Sequence, residues 1–319
     1  MRIALDAMGG DFAPKATVEG AYLAAKYLSP ETHLVLIGQE EVIKSIIHTL
    51  GELPTNVSIV HAPEVIGMGE HPTKALSQKP QSSISVGFQL LKAKEVEAFC
   101  SAGNTGAMHV GALFSVKAIE GISRPALISH VPKLDGSFGV ILDVGANVDC
   151  KPQVLQQFGL LGTVYAKHVF NIAKPKVVLL NLGEEEQKGN AQTQEAYQLL
   201  KADTRLNFVG NMESREMFKP NHADVVVCDG FVGNVLIKMA ETYYTILKKK
   251  KYSDPFFDNF NYETIGGSPI LGINGNVVIG HGISNGLAIQ NMILLTEKIT
   301  KAALAEKIKE QLQTNGAFQ

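Results

Sequence analysis

Six short stretches of this chain set glycine beside Asp, Asn, Ser or His, and chemistry would be done there if anywhere. They are Asp6-Ala7-Met8-Gly9-Gly10-Asp11, Ser101-Ala102-Gly103-Asn104-Thr105-Gly106, Asp143-Val144-Gly145-Ala146-Asn147, Asn181-Leu182-Gly183-Glu184-Glu185-Glu186, Asp229-Gly230-Phe231-Val232-Gly233-Asn234 and His281-Gly282-Ile283-Ser284-Asn285. Glycine lets a backbone turn sharply and approach a ligand, and the bared N–H groups of a helix start attract an anion. One such turn is usually only a turn. All six, however, follow short apolar runs, which places them at the carboxyl ends of strands, the edge where open parallel sheets bind ligands. The ligand this chemistry favours is a phosphate or a carboxylate.

Single residues carry two readings each. Lys188, between the strand-end Asn181-Leu182-Gly183 and Gly189, is either a solvated lysine or a point charge for an anion. His281 is either a satisfied strand-end imidazole or a proton donor. Asp6, Asp143 and Asp229 could ligate a metal or merely cap turns, and no spacing decides between them. The nine histidines include no His-x-x-x-His pair, which argues against a structural zinc. No Gly-x-Gly-x-x-Gly opens a helix and no P-loop is present. Gly282-Ile283-Ser284-Asn285-Gly286 has the form of a nucleophile elbow, but neither histidine nor aspartate follows Ser284. A hydrolase triad is therefore rejected, and Ser284 reads as the N-cap of the last helix.

The elements that must position these turns alternate along the chain. Strands are expected at 3–6, 33–38, 57–61, 97–101, 138–143, 176–181, 207–210, 224–229 and 276–281. Helices are expected at 14–28, 40–50, 82–93, 105–117, 152–170, 192–201, 232–250 and 284–313, with 252–268 the one long irregular stretch. Strands apolar throughout and separated by helices imply βαβ units and a mostly parallel sheet covered on both faces. The expectation is a doubly wound α/β/α fold in one domain over 1–319, with an irregular or short helical excursion around 240–268.

Composition narrows the function. Hydrophobic residues make up 45% and charged residues 19%, as in a compact globular chain. The 29 Lys+Arg against 31 Asp+Glu leave a net charge of −2, so no nucleic-acid partner is expected. Cys100, Cys150 and Cys228 are too scattered for a disulfide framework or a Cys-x-x-Cys site. Asp6 and Asp11 interrupt any signal-peptide apolar stretch, and later apolar runs are far short of the ~20 residues that cross a bilayer. The chain reads as cytoplasmic, with peripheral membrane contact left open. Lys248, Lys249, Lys250 and Lys251 close an expected helix, where they oppose its macrodipole, meet anionic lipid or dock an acidic protein.

The same turns carry a resemblance. LDAMGGDFAP from Leu5, SAGNTGA from Ser101, GISRPAL from Gly121, LDVGANVDCKP from Leu142, NLGEEEQKGN from Asn181, VVVCDGFVGNV from Val225 and HGISN from His281 closely resemble the PlsX-type phosphate acyltransferases. The resemblance runs from Met1 to the last helix. It implies a bacterial enzyme of phospholipid synthesis that moves a fatty acyl group from acyl-acyl-carrier protein to inorganic phosphate. The acyl phosphate would then feed a downstream membrane glycerol-3-phosphate acyltransferase. It further implies a homodimer, an isopropylmalate-dehydrogenase-like fold and no cofactor or metal, and it places the lysine of the family's Lys-Gly-Asn motif on Lys188. Three features depart from the family: Ser77 stands where arginine is frequent, Ile283 interrupts the C-terminal His-Gly-Ser-Ser, and the stretch 235–266 is short.

Phosphate is already a nucleophile near neutral pH, so such an enzyme must mainly desolvate it, hold it against a thioester, stabilise an oxyanion and release a thiolate. On this reading Lys188 and the backbone around Gly103, Asn104 and Thr105 hold the phosphate. Asp6 and Asp229 at the same rim are expected to bind phosphate or thioester, Asn147, Asn181 and Asn234 orient phosphate or thioester, and His281 protonates the leaving thiolate. Three rivals remain: a metal- and NAD-dependent decarboxylating dehydrogenase, a phosphotransacetylase-like enzyme on acyl-CoA, and a non-catalytic carrier-protein or membrane scaffold.

Overall fold

The structure, a computed structural model, describes residues 1–314. Its strands are β1 (Arg2–Asp6), β2 (His33–Gly38), β3 (Val57–His61), β4 (Ala98–Ser101), β5 (Ala126–Pro132), β6 (Phe138–Leu142), β7 (Lys176–Leu180), β8 (Asn207–Met212), β9 (Val225–Val227), β10 (Ser268–Leu271) and β11 (Asn276–Ile279). Its helices are α1 (Lys15–Ala24), α2 (Glu40–Leu50), α3 (Pro72–Gln78), α4 (Ser83–Lys92), α5 (Thr105–Ser115), α6 (Pro152–Val169), α7 (Ala191–Ala202), α8 (Gly230–Lys249), α9 (Pro255–Asp258), α10 (Tyr262–Ile265), α11 (Gly286–Lys301) and α12 (Leu304–Thr314). Where the sequence reads as one continuous alternation, the contacts gather into two compact units. The first comprises Met1–Lys117 with Tyr262–Lys301, and the second Ala118–Asn261 with the chain from Ala302 on.

In the first unit the strands run in the order β3-β2-β1-β4-β11-β10, parallel except for the β10–β11 pair. Register aligns the strand ends. Asp6 lies opposite Ile37, and Ser101 opposite Ile279, so the turns after β1, β4 and β11 open at one rim. Helices α1 and α11 pack together where Gly20 lies against the Gly286 carbonyl and Ile289, leaving no space for a side chain. Glu297 of α11 accepts from Thr32 Oγ1 at 2.6 Å and from the Ser29 N–H at 3.0 Å, tying that helix to the start of β2.

The second unit orders its strands β5-β6-β9-β7-β8, parallel except for the β5–β6 pair. Val227 lies opposite both Leu142 and Leu179, which brings the turns after β6, β9 and β7 to one rim. Helix α6 covers this sheet with twelve buried residues, Phe158 and Tyr165 among the largest. A side chain on Gly233 of α8 would collide with the carbonyl oxygen of Asp143, so α8 approaches the end of β6 only because that residue is glycine.

The α/β architecture and its mostly parallel strand order agree with the expectation from periodicity. Four elements differ. Residues 126–132 form β5 in an antiparallel hairpin with β6, turned by Asp135, whose carboxylate accepts from Ser137, and by Gly136 at φ +82°. The short helix α3 precedes α4 and buries only Ala75. Within 252–268 two four-residue helical turns, α9 and α10, lead to β10. The expected last helix is divided into α11 and α12, with Ala303 in the left-handed region at φ +50°. Among the described residues no helix is long and apolar enough to cross a membrane.

Two measurements check this packing. Gly233→Ala should lower stability by about 1–3 kcal/mol or more through overpacking at Asp143. Gly69→Ala, whose added carbon would meet nothing within 4 Å, should stay within ~0.5 kcal/mol of the parent in chemical denaturation. Burial pushes the Glu297 carboxyl up, but donors from Thr32 and Ser29 and the nearby Lys301 outweigh it and hold it below the ordinary 4.5. Its folded value is depressed, so Glu297 stabilises the fold above the ordinary carboxylate range and loses that effect as pH falls through the folded value. Glu297→Gln should therefore flatten the acid side of the stability–pH curve, and an unchanged acid limb would remove Glu297 as its cause.

Candidate active site

Each unit builds its rim around one buried aspartate. In the first unit the Asp6 carboxylate accepts from the Met8 N–H at 3.0 Å and from Ser101 Oγ at 2.6 Å, and Ser101 Oγ accepts in turn from the Gly103 N–H at 2.9 Å. Burial pushes this carboxyl above its ordinary value, and donors from Ser101, Ser83, Met8 and Gly9 oppose the shift. Gly9 lies so close that any side chain would strike Asp6, the Gly103 nitrogen and Ser101 Oγ. The turn after β4 is thus fixed from β1.

Asn104 caps α5, accepting the Ala107 N–H at 2.9 Å. Its Nδ2 lies 2.9–3.1 Å from the carbonyls of Gly67, Met68 and Glu70 and holds residues 67–70 across the helix start as a strap. Lys79 secures that strap, donating to Glu70 Oε1 at 2.5 Å and to the Val65 carbonyl at 2.8 Å. Thr105 is exposed in the first turn of α5, where N–H groups have no intrahelical acceptor. The turn after β11 joins this rim through the Asp11 N–H, which donates to the Gly282 carbonyl at 2.7 Å. His281, half-buried, begins that turn. The cap of α11 is Asn285, which accepts the Ala288 N–H at 3.0 Å. Ser284, expected in that role, lies one residue earlier, buried in the turn, because α11 starts at Gly286 against α1.

In the second unit the Asp143 carboxylate accepts five donors. Leu127, Val144 and Ala146 supply backbone N–H groups to one oxygen, and the Asn147 N–H and Nδ2 reach the other at 2.5 and 3.0 Å. Burial pushes its pKa upward, opposed first by the Leu127 and Asn147 donors. Asn147, 4% exposed, also donates from Nδ2 to the Pro125 carbonyl, so its side chain braces the turn from inside. Asp229 caps α8 by accepting the Val232 N–H at 2.8 Å. Exposed Asn234 donates to the Val144 carbonyl at 3.2 Å.

The turn after β7 is held separately. Asn181 donates to the Lys188 carbonyl and to Asn211 Oδ1, and Asn211 Nδ2 donates to the Glu185 carbonyl. Gly189, at φ +95°, sits where any side chain would strike Asn181 and Thr193. The stem of Lys188 lies over Gly183, and its half-exposed ammonium stands 4.0 Å from Glu185 Oε2.

The first unit therefore brings Asp6, Gly103, Asn104 and Thr105 to one rim with His281. The second brings Asp229, Asn147 and Asn234 together around Asp143, with Asn181 and Lys188 in the neighbouring turn. In the first unit Thr105 is exposed at the start of α5, whose first-turn amides suit an anion, and in the second Asn234 is exposed and Lys188 half-exposed, an amide and a point charge. Sequence reasoning missed Ser101, Asn211 and the 67–70 strap as supports and did not single out Asp143 as the centre of the second unit's rim. Asp143 had a signal, since it ends a strand as Asp6 does; Asn211 had none. Among the described residues no three His, Cys, Asp or Glu side chains cluster to hold a metal ion.

Comparison with known proteins locates this arrangement. Residues 1–307 match the family model described as fatty acid synthesis protein. The chain is 46% identical to a phosphate acyltransferase of Dictyoglomus turgidum over 331 aligned positions, covering 98% of both chains. It is 41% identical to that of Salinibacter ruber over 336 positions, covering 99% of both. Among solved structures, a phosphotransacetylase from Streptococcus pyogenes shares the fold at a TM-score of 0.67 and 19% identity, covering 94% of each chain. A family model matched over nearly the whole sequence, and relatives this similar from end to end, make the chain a member of the phosphate acyltransferase family.

Proposed function

We propose that this acyltransferase takes its acyl group from a long-chain acyl-acyl-carrier protein and delivers it to inorganic phosphate. The product is an acyl phosphate for glycerol-3-phosphate acylation by a membrane enzyme of phospholipid synthesis. The observation that carries this reading is end-to-end identity of 41–46% with proteins named phosphate acyltransferase. The reading takes the protein as a cytoplasmic homodimer working without cofactor or metal, and it includes peripheral membrane contact through the α8 region.

The geometry supports a division of labour. Phosphate needs charge and N–H donors but no strong base, and the outward groups supply these. In the first unit the first-turn amides of α5 at Thr105 are phosphate donors, and in the second Lys188 is a phosphate-binding charge. The Asp6–Ser101–Gly103 and Asp143–Asn147 networks keep the turns in place, while Asp229 and Asn181 fix the helix start and loop beside them. Asn234 orients the thioester, and His281 gives a proton to the departing thiolate.

The decisive experiment incubates the protein with hexadecanoyl-acyl-carrier protein and labelled phosphate and traps the product with hydroxylamine. Phosphate-dependent hydroxamate is expected. Equal turnover of acetyl-CoA would favour a phosphotransacetylase-like activity instead, and carrier-protein binding without thioester consumption would favour a scaffold. Lys188→Ala should lower kcat about 10²-fold with the melting temperature unchanged, and unchanged hydroxamate formation would take Lys188 out of the mechanism. His281→Gln should lower kcat about 10²-fold and abolish its fall on the alkaline side. Full rate with an unshifted pH profile would end that assignment.

A further inference from the structure

The first unit carries an apolar groove of about 390 Å³ between α3, α4 and α5 that no step above uses. Its floor is Phe88 of α4 beneath Gly111 of α5, and Gly111 must be glycine because any side chain would strike the Phe88 ring. Leu76 and Pro80 form one wall, and Phe114, 73% exposed, stands at the other. A large aromatic side chain left this bare beside an apolar channel is the kind of surface that marks a binding site.

The groove has a defined origin. Thr73 at one end follows Pro72, which packs so closely on Gly106 that no side chain fits there. That end adjoins the first turn of α5, whose amides face the proposed phosphate position. From there the groove follows α5 past Val110 to Ser115, and α5 from its start to Ser115 spans about 15 Å. The segment leading into α3 is held by Asn104, bonded to Gly67 and Glu70, and by Lys79 at the end of α3, bonded to Glu70 and Val65. A linear apolar occupant whose reactive end sits at the α5 start and whose tail runs between three helices matches this shape.

We infer that this groove receives the alkyl tail of the acyl donor and sets the enzyme's chain-length preference, an inference that rests on the acyl-transfer reading above. Its ligand is an extended hydrocarbon chain, and it holds the tail without contributing to the chemical step. Ser77, exposed on α3, and Gln89, exposed on α4, line the groove from opposite sides, so bulk added at either would fill it without disturbing the core.

The test measures kcat/KM over acyl-carrier-protein thioesters from butanoyl to hexadecanoyl, for the wild type, Ser77→Trp and Gln89→Trp, with melting temperature as the fold control. In the wild type kcat/KM should rise by up to about fourfold per added methylene while the tail still finds apolar cover. Each variant should lose at least about tenfold on hexadecanoyl thioester while staying within about twofold on butanoyl thioester. Profiles parallel to the wild type in both folded variants would overturn the groove and leave the transfer activity standing. So would a flattened profile in Ala240→Trp, which fills the separate apolar cavity beside α8, with none in Ser77→Trp. If no thioester reacts at all, the functional reading fails by itself. Binding of cis-parinaric acid then decides the groove: fluorescence lost in Ser77→Trp supports it, and fluorescence retained overturns it.

Discussion

Two carboxylates withdrawn from water impose the constraint on which the rest of this structure depends. Asp6 and Asp143 end their strands with no exposed surface, and burying an anion without donors would be prohibitively unfavourable. Each unit meets that demand by folding its own turns inward. Met8, Ser101 and Gly103 form a linked set at Asp6, and five donors converge on Asp143. The backbone of the functional turns is thereby specified by hydrogen bonds to a buried carboxyl group at the base of each rim.

The glycines of these turns follow from the same demand. Gly9 beside Asp6 and Gly230 and Gly233 beside Asp143 all lie where a side chain would strike the carboxylate or its own carbonyl. They allow the loop after β1 and the start of α8 to pack directly against the strand ends. With its inner surface occupied by a structural carboxylate, the first rim leaves Thr105 exposed at the start of α5, and Lys188 stands half-exposed beside the second. Helix-start amides fixed in this way suit an anion, since fixed dipoles need no reorganisation when it binds or reacts.

A division between rigid and accommodating surface runs through the first unit. The strap over α5 is fastened at both ends by Asn104 and Lys79, whereas the groove beyond it is lined by contacts that recognise no particular atom. A few fixed polar groups beside an apolar channel is the arrangement expected of a pocket for a ligand with one polar end.

Apolar runs and helical spacing located most of the described strands and helices, and the same runs placed the glycine-rich turns at strand ends, because those signals are local. The residues at 126–132 escaped that reading, since a hairpin strand inside a βαβ alternation shows only once its partner is known. So did α3, which buries a single alanine. The break before α12 needs a left-handed alanine that no propensity foretells. The site was legible as a collection of residue types but not as a wiring. Asn104 was visible as a residue of a glycine-rich turn, yet the strap it holds lies 34–37 residues away. Asn147 reaches Pro125 across 22 positions, and Asn181 finds Asn211 across 30. Which donor meets which carbonyl is decided by the order of strands in each sheet, and that order is a property of the packed units, not of any window of sequence.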